Sequence, residues 1–374
     1  MKHILIIASH GPSLINFRLN LIKLLLSKGY KVSVASSSEN FNKTLQKQLK
    51  ALGVKINLFS LSRTGLNIFR EFKSILDLSR IIKNSKPNII ISYTAKPVVY
   101  SGLILKFFPK IIYFPLITGL GFAFTNNLSI VGYLLRLLMI FLYYLGLKKS
   151  KKIIFQNKDD KKLFLELKII KDKKKVSVVN GSGIDLNAFR FSRLPTEHIF
   201  LMIARLLIDK GIREYFKASI IVKKKFPNVK FRLIGGLDQN PSSLNKKELK
   251  FWLKKSKIKY LGRRNSVKSA LRSCRYFVLP SYREGTPRTI LEALSIGRPV
   301  ITTNVPGCRE TVVNKKNGLL VPSKNSMALA NAMIELIKEK DKKIKSMAKE
   351  SYLIAREKYE IDKVNTNMLN IMNL

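Results

Sequence analysis

The sequence predicts an α/β fold built from two successive doubly wound domains. Three observations carry that expectation. Short apolar runs of four to six residues alternate with amphipathic stretches of helical length along nearly the whole chain. The runs are continuously apolar rather than alternating, as strands of a parallel sheet covered on both faces must be. At 374 residues, 46% of them hydrophobic, the chain is too long for one ordinary core and rich enough for two.

Ile4–Ala8 reads as the first strand. The turn His10-Gly11-Pro12-Ser13, a helix over Leu14–Ser27 stopped by Gly29, and a strand at Val32–Ala35 complete a βαβ unit. The turn lacks G-x-G-x-x-G, so a dinucleotide fingerprint is absent. A strand at Val54–Phe59, a helix at Asn67–Lys83, a strand at Asn88–Ser92, a helix at Pro97–Phe107 and a strand at Ile111–Phe114 follow, and the loop Leu116–Gly121 comes next. Ser129–Leu147 is the most apolar stretch and approaches the length of a membrane span, but Arg136 interrupts it and the βα rhythm resumes at once with Lys152–Phe155 and Asp159–Leu167. It is therefore expected to be a buried helix with at most one face meeting lipid. Val176–Val179 is the last strand of this series, and Asn180–Asp185 reads as a hinge.

The second series runs through strands at Phe200–Ile203, Phe231–Ile234, Ile258–Leu261, Tyr276–Leu279 and Val300–Thr302, followed by the segment Gly318–Val321. Helices are expected at Gly211–Phe226, Lys246–Lys255, Ser266–Arg272, Thr289–Ser295 and Met327–Ile337, with a charged helical tail from Ile344 to Leu374. The expected domains are 1–185, 186–355 and a crossing C-terminal helix over 356–374. Two such domains facing a cleft present their strand C-termini to it, where open α/β sheets bind ligands.

Charge is the outlier of the composition. Seventy Lys and Arg against 23 Asp and Glu give +47, and lysines cluster at 148–152, 171–175, 223–225 and 338–345. That balance points to a polyanionic partner, an anionic membrane surface or nucleic acid. No nucleic-acid recognition module is visible, so a basic nucleic-acid-binding protein is weighed and set aside. Two cysteines exclude a disulfide framework and suit a reducing compartment, three scattered histidines exclude a spaced metal site, and the apolar run at the N-terminus is too short for a signal peptide.

The stretch with the most chemistry is S-Y-R-E-G-T-P-R-T-I-L-E-A-L-S-I-G, Ser281 to Gly297. A strand, a tight glycine turn and a helix follow one another, with Thr286 as the expected N-cap, Pro287 as the first helical residue and Gly297 as the left-handed stop. The backbone amides of Gly285, Thr286 and Arg288 at a positive helix end make an anion site. Glu284 and Glu292 flank it, and carboxylates suit hydroxyls rather than phosphate. A phosphate with a polyol on each side describes a nucleotide sugar. Upstream, Arg205 and Lys210 follow a strand as R-x4-K, a pair of cations suited to a diphosphate.

E-G-x-P-x-x-x-L-E-A-L, with seven residues between the glutamates, and A-R-L-x-x-x-K-G some 80 residues earlier resemble the donor site of retaining glycosyltransferases of the GT4 type. Gly235-Gly236, V-N-G-S-G-I-D-L-N-A-F, P-G-C-R-E-T-V and N-G-L-L-V-P extend the resemblance over the chain. S-R-T-G-L-N, S-Y-T-A-K-P and I-T-G-L-G look like the bacterial subgroup that assembles surface polysaccharides, O-antigen or capsule, on undecaprenyl-diphosphate-linked acceptors. The resemblance implies the GT-B fold, with two Rossmann-like domains. It implies that Glu284 holds the donor sugar's hydroxyls, Glu292 the ribose, and Arg205 and Lys210 the leaving diphosphate. Gly11, Asn16, Gly235 and the Gly285–Arg288 turn, with Pro287 in it, would complete the donor site. Arg18, Lys96, Thr118 and Gly119 would lie toward the acceptor. The family's histidine near the sugar is missing from Thr118–Gly121, and Gly-Pro replaces Gly-Gly in the first loop. The expected partners are a nucleotide sugar, with UDP the commonest nucleotide, a polyprenyl-diphosphate-linked saccharide and an anionic membrane, with no metal or other cofactor. The expected place is the cytoplasmic face of the cell membrane. A soluble acceptor served by the same donor chemistry is the alternative.

Overall fold

The computed structural model describes residues 1–61, 67–121, 124, 130–238 and 240–374. The S-R-T-G-L-N segment, apart from Asn67, and Ser129 lie outside the described residues. The chain divides into two compact units, Met1–Ser182 with Val364–Leu374, and Gly183–Lys363. The sequence reading drew its boundaries at 185 and 355.

Among the described residues the first unit holds seven parallel strands: β1 (His3–Ala8), β2 (Lys31–Ser37), β3 (Lys55–Phe59), β4 (Ile89–Tyr93), β5 (Ile112–Ile117), β6 (Ile153–Phe155) and β7 (Val176–Val178). Their order is β3-β2-β1-β4-β5-β6-β7, so the winding reverses between β1 and β4. Helices α1 (Gly11–Ser27) and α2 (Lys43–Lys50) cover one face, around Ile4, Ile6 and Leu14. Helices α3 (Ile68–Ser85), α4 (Ala95–Ile104), α5 (Ile130–Leu147) and α6 (Lys158–Glu166) cover the other, around Leu5, Ile7, Val98 and Phe155. The alternating inward positions of β1 thus feed two separate cores, which is why the strand reads as unbroken apolar sequence.

The second unit carries β8 (Ile199–Ile203), β9 (Lys230–Ile234), β10 (Lys259–Tyr260), β11 (Tyr276–Leu279), β12 (Val300–Thr303) and β13 (Gly318–Val321), ordered β10-β9-β8-β11-β12-β13 and parallel throughout. The winding reverses between β8 and β11. Its helices are α7 (Ile212–Lys225), α8 (Lys246–Ser256), α9 (Lys268–Arg272), α10 (Arg288–Ser295), α11 (Ser326–Lys338) and α12 (Asp341–Lys358). A last helix, α13 (Ile361–Met372), returns to the first unit, where Met368, Leu369 and Met372 bury beside Ile4 and Val34.

Three expectations change. The tail is two helices, not one. Ile184 donates to the Tyr359 carbonyl and accepts from Ile361, and the buried Tyr359 hydroxyl donates to the Glu310 carbonyl, so the chain leaves helical bonding there. Helix α2 joins β2 to β3 where the sequence reading had no element. Its two buried residues, Leu45 and Leu49, are few among lysines and glutamines, and Asn42 caps it by accepting from the Leu45 amide. The expected buried helix at 129–147 is mostly exposed: of α5 only Gly132, Tyr143, Gly146 and Leu147 are buried.

Candidate active site

In the second unit the loops after β8, β9, β11 and β12 leave the C-terminal edge of the sheet next to one another, across the point where the winding reverses. Such a switch point is where an open α/β sheet offers a crevice. Two contacts stitch the β8 and β11 loops together. The Tyr282 amide donates to the Asp209 carbonyl at 2.8 Å. Gly211, at φ +73, leaves no room for a side chain, since a Cβ there would lie 2.1 Å from the Pro280 carbonyl oxygen.

That stitching delivers Lys210 to Glu284. The Lys210 Nζ lies 2.5 Å from Glu284 Oε1, and the Ser281 hydroxyl donates to the same oxygen at 2.9 Å. The two charged side chains are only 16% and 14% exposed. A pair so withdrawn from water is held by geometry: removing one partner leaves a charge uncompensated in a poorly solvated place. The Glu284 turn is itself fixed from below. Its amide donates to the Pro306 carbonyl, and Gly307 at φ +81 packs so close that a Cβ would sit 2.3 Å from the Glu284 carbonyl oxygen. This accounts for the P-G-C-R-E-T-V segment.

Arg205, half exposed, is paired with Asp238 in the loop after β9, Nη1 to Oδ2 at 2.9 Å. Gly235 begins that loop, and a Cβ on it would lie 1.9 Å from the Ala204 carbonyl oxygen, so its smallness serves the contact between the β8 and β9 ends. The Tyr260 hydroxyl donates to the Gly235 carbonyl at 2.8 Å.

Helix α10 begins at Arg288, one residue after the proline expected to open it and one before the expected span Thr289–Ser295. Pro287, at φ −73 and ψ 109, is its N-cap, and Thr286 does not cap it. The residue before a proline is pushed to extended backbone, and here Pro287 stays extended too. Gly297 at φ +79 ends the helix as expected. Glu292 is buried on α10 and accepts from Arg288 Nε at 2.9 Å. Burial raises its pKa, with Arg288 and then Lys268 opposing the rise. Gly285, Thr286, Pro287, Arg288 and Glu292 therefore share one turn and one helix end with Glu284.

The first unit has a switch point of its own, between β1 and β4. The Thr94 hydroxyl donates to Ser9 Oγ at 2.9 Å, and Ser13 Oγ lies 3.0 Å from the Tyr93 hydroxyl. Gly11 is the first residue of α1 and is buried; Asn16 is exposed on the same helix. Arg18 is 3% exposed and lies over the Tyr93 ring, 5.0 Å from its centroid. Lys96, at the start of α4, pairs with Glu71 of α3 at 2.5 Å, and Glu71 also accepts from the Tyr100 hydroxyl. Thr118 and Gly119 follow β5, half-buried, Gly119 at φ +125. Asp238 and Glu71 were missed in the sequence, whereas Ser281 and Gly307 lay inside the segments S-Y-R-E-G-T-P and P-G-C-R-E-T-V with no role assigned to them.

Two family models match the chain: "Glycosyl transferases group 1" over residues 185–353 and "Glycosyl transferase 4-like" over residues 3–157. The N,N'-diacetylbacillosaminyl-diphospho-undecaprenol alpha-1,3-N-acetylgalactosaminyltransferase of Campylobacter jejuni is 30% identical over 354 residues, 91% of this chain and 90% of that one. The UDP-Gal:alpha-D-GlcNAc-diphosphoundecaprenol alpha-1,3-galactosyltransferase of Escherichia coli is 25% identical, covering 74% of this chain and 73% of its own. The crystal structure of Anabaena HepE in complex with UDP-glucose superposes with a TM-score of 0.76 at 18% identity over the whole of both chains, which establishes a shared GT-B fold. The chain is a glycosyltransferase, and it belongs to the family of group 1 and 4-like glycosyl transferases.

Proposed function

We propose that the chain transfers a hexose or N-acetylhexosamine unit from a UDP-sugar to a polyprenyl-diphosphate-linked saccharide, with retention at the anomeric carbon. The work is done at the cytoplasmic face of the membrane, against its anionic surface. The observation that carries the reading is the Lys210–Glu284 pair at the switch point of the second unit, with the α10 end beside it. As the bond between the anomeric carbon and the diphosphate breaks, negative charge gathers on the nucleotide diphosphate. Lys210, Arg205 and the positive end of α10 supply fixed charge for it. Glu284, released by Lys210 when the diphosphate arrives, accepts hydrogen bonds from the donor sugar, and Glu292 accepts them from the ribose. Two cations and a helix end do this without a metal. Gly235 borders the base, Gly11 and Asn16 belong with the donor, and the acceptor side falls to the first unit's Arg18, Lys96, Thr118 and Gly119. The names of the Campylobacter and Escherichia relatives support the lipid-linked acceptor and the UDP donor.

The test is a panel of nucleotide sugars offered with an undecaprenyl-diphosphate-linked saccharide or with the same saccharide free in solution, read by mass in the presence of EDTA. Transfer of one sugar unit from a UDP donor to the lipid alone is expected. Equal transfer to the free saccharide moves the acceptor to a soluble molecule, and loss of transfer in EDTA overturns the metal-free reading.

A further inference from the structure

Helix α5 is the most apolar helix among the described residues, and most of it is outside the core. Its 18 residues have a mean hydropathy of 2.0, yet only 22% of them are buried. At about 3.6 residues per turn, Ile130, Leu134, Leu137, Leu138, Phe141 and Tyr144 form one face, and that face is exposed, Ile130 at 83% and Phe141 at 56%. Scattered exposed apolar residues need no explanation, but a contiguous face of them marks an interaction site. The helix's one charge, Arg136, is turned away from this face, its guanidinium 5.8 Å from the centroid of the Phe124 ring.

The opposite face holds α5 to the first unit. Gly146 meets Gly102 of α4 so closely that a Cβ on Gly102 would lie 1.6 Å from the Gly146 carbonyl oxygen. Tyr143 packs edge-on against Phe164, 5.1 Å between centroids. A helix fastened along one side cannot leave to cross a bilayer, so its free side must meet its partner lying flat. Helix α3, which packs on α4 from the same face of the sheet, adds a second apolar row. Ile68, Phe69, Phe72 and Leu76 are exposed there, while Ser74, Leu78 and Ile82 face the core.

Cations lie around α5. Lys148, Lys149 and Lys151 are exposed at the C-terminal end of α5, and Lys158, Lys162 and Lys173 line an open groove at α6. A second copy seated on this face would set such clusters against each other. An anionic surface is attracted to them instead.

We infer that the outward faces of α5 and α3 form one docking surface for an anionic phospholipid bilayer, with α5 lying in the plane of the headgroups. The inference deepens the membrane part of the proposed function and rests on it for the kind of surface. Interfacial helices of this composition bury one apolar face at the headgroup boundary and hold on through basic residues.

The experiment is co-sedimentation of the full chain with vesicles of equal parts phosphatidylcholine and phosphatidylglycerol, and with phosphatidylcholine alone. The wild type is expected to pellet with the anionic vesicles, and less so as salt rises. Leu134→Glu/Phe141→Glu and Phe69→Ser/Phe72→Ser are each expected to bind about tenfold or more weakly. All four side chains are exposed, so Tm and nucleotide binding should hold. Phe141→Trp adds a readout that needs no loss of binding: brominated lipid should quench its emission. Vesicle binding by the Glu pair at the wild-type level overturns the inference. So does a wild type that ignores anionic vesicles and is a dimer that the Glu pair splits. Transfer to acceptor in detergent separates the two claims: its survival in a wild type that does not bind anionic vesicles sinks the docking surface and leaves the function standing.

Discussion

Glu292 shows how burial sets the chemistry of one carboxyl. Its pKa is raised from the usual 4.5 by loss of solvent, with Arg288 opposing. The folded chain therefore holds this proton more tightly than the unfolded one. The stability it contributes is complete below the unfolded value and is lost as pH rises through the folded one. Glu292→Gln cannot ionise, so its Tm relative to the wild type should climb from pH 4.5 upward; a difference independent of pH would contradict the assignment. Both thiols, Cys274 and Cys308, are buried, and burial pushes each up to about 12. Neither should react with Ellman's reagent in the native chain, and both should in denaturant. A native thiol that reacts promptly would show that its pocket opens. At this scale the charged residues of the site were legible, because carboxylates and cations at loop and helix ends have few roles that need no partner. Asp238 was not, since a lone acid in a polar loop carries no pattern until Arg205 is seen against it.

The elements around the site explain why glycines recur where side chains would be expected. Gly307 supports the Glu284 turn from below, at a positive φ and with no room for a methyl group. Gly307→Ala should lower transfer by about a hundredfold or more through a displaced Glu284, while stability falls by about 1–3 kcal/mol. Kinetics and thermal unfolding on one preparation check this; transfer lost only in proportion to folded protein would make Gly307 purely structural. Strands were legible across most of the chain because each is a short, unbroken apolar run, and Tyr276–Leu279 matches the expected bounds; Gly318–Val321, expected only as a segment, is a strand. The sheet order depends on long-range pairing and could be anticipated only as a class. Helix α5 shows the limit in the other direction. An apolar run predicts burial, but periodicity alone cannot say which of two apolar faces the fold covers. Here α4 covers one through the Gly102–Gly146 crossing.

At the scale of the molecule, the last eleven residues belong to the first unit although they follow the second in sequence. Met368, Leu369 and Met372 are each 1% exposed in its core. Burying three such side chains is worth about 1.5–3 kcal/mol apiece, against the roughly 5–15 kcal/mol that holds a typical domain. A chain ending at Lys363 should lose the cooperative unfolding of its first unit by calorimetry; an unchanged transition would show that α13 is dispensable. The central claim is that Lys210 and Glu284 form the centre of the transfer site. Its most direct test measures sugar transfer and nucleotide affinity together for Glu284→Ala and Lys210→Ala. Glu284→Ala is expected to lose about a hundredfold or more of its transfer rate and to keep most of its nucleotide affinity, while Lys210→Ala weakens both. Wild-type turnover in the two variants would contradict it.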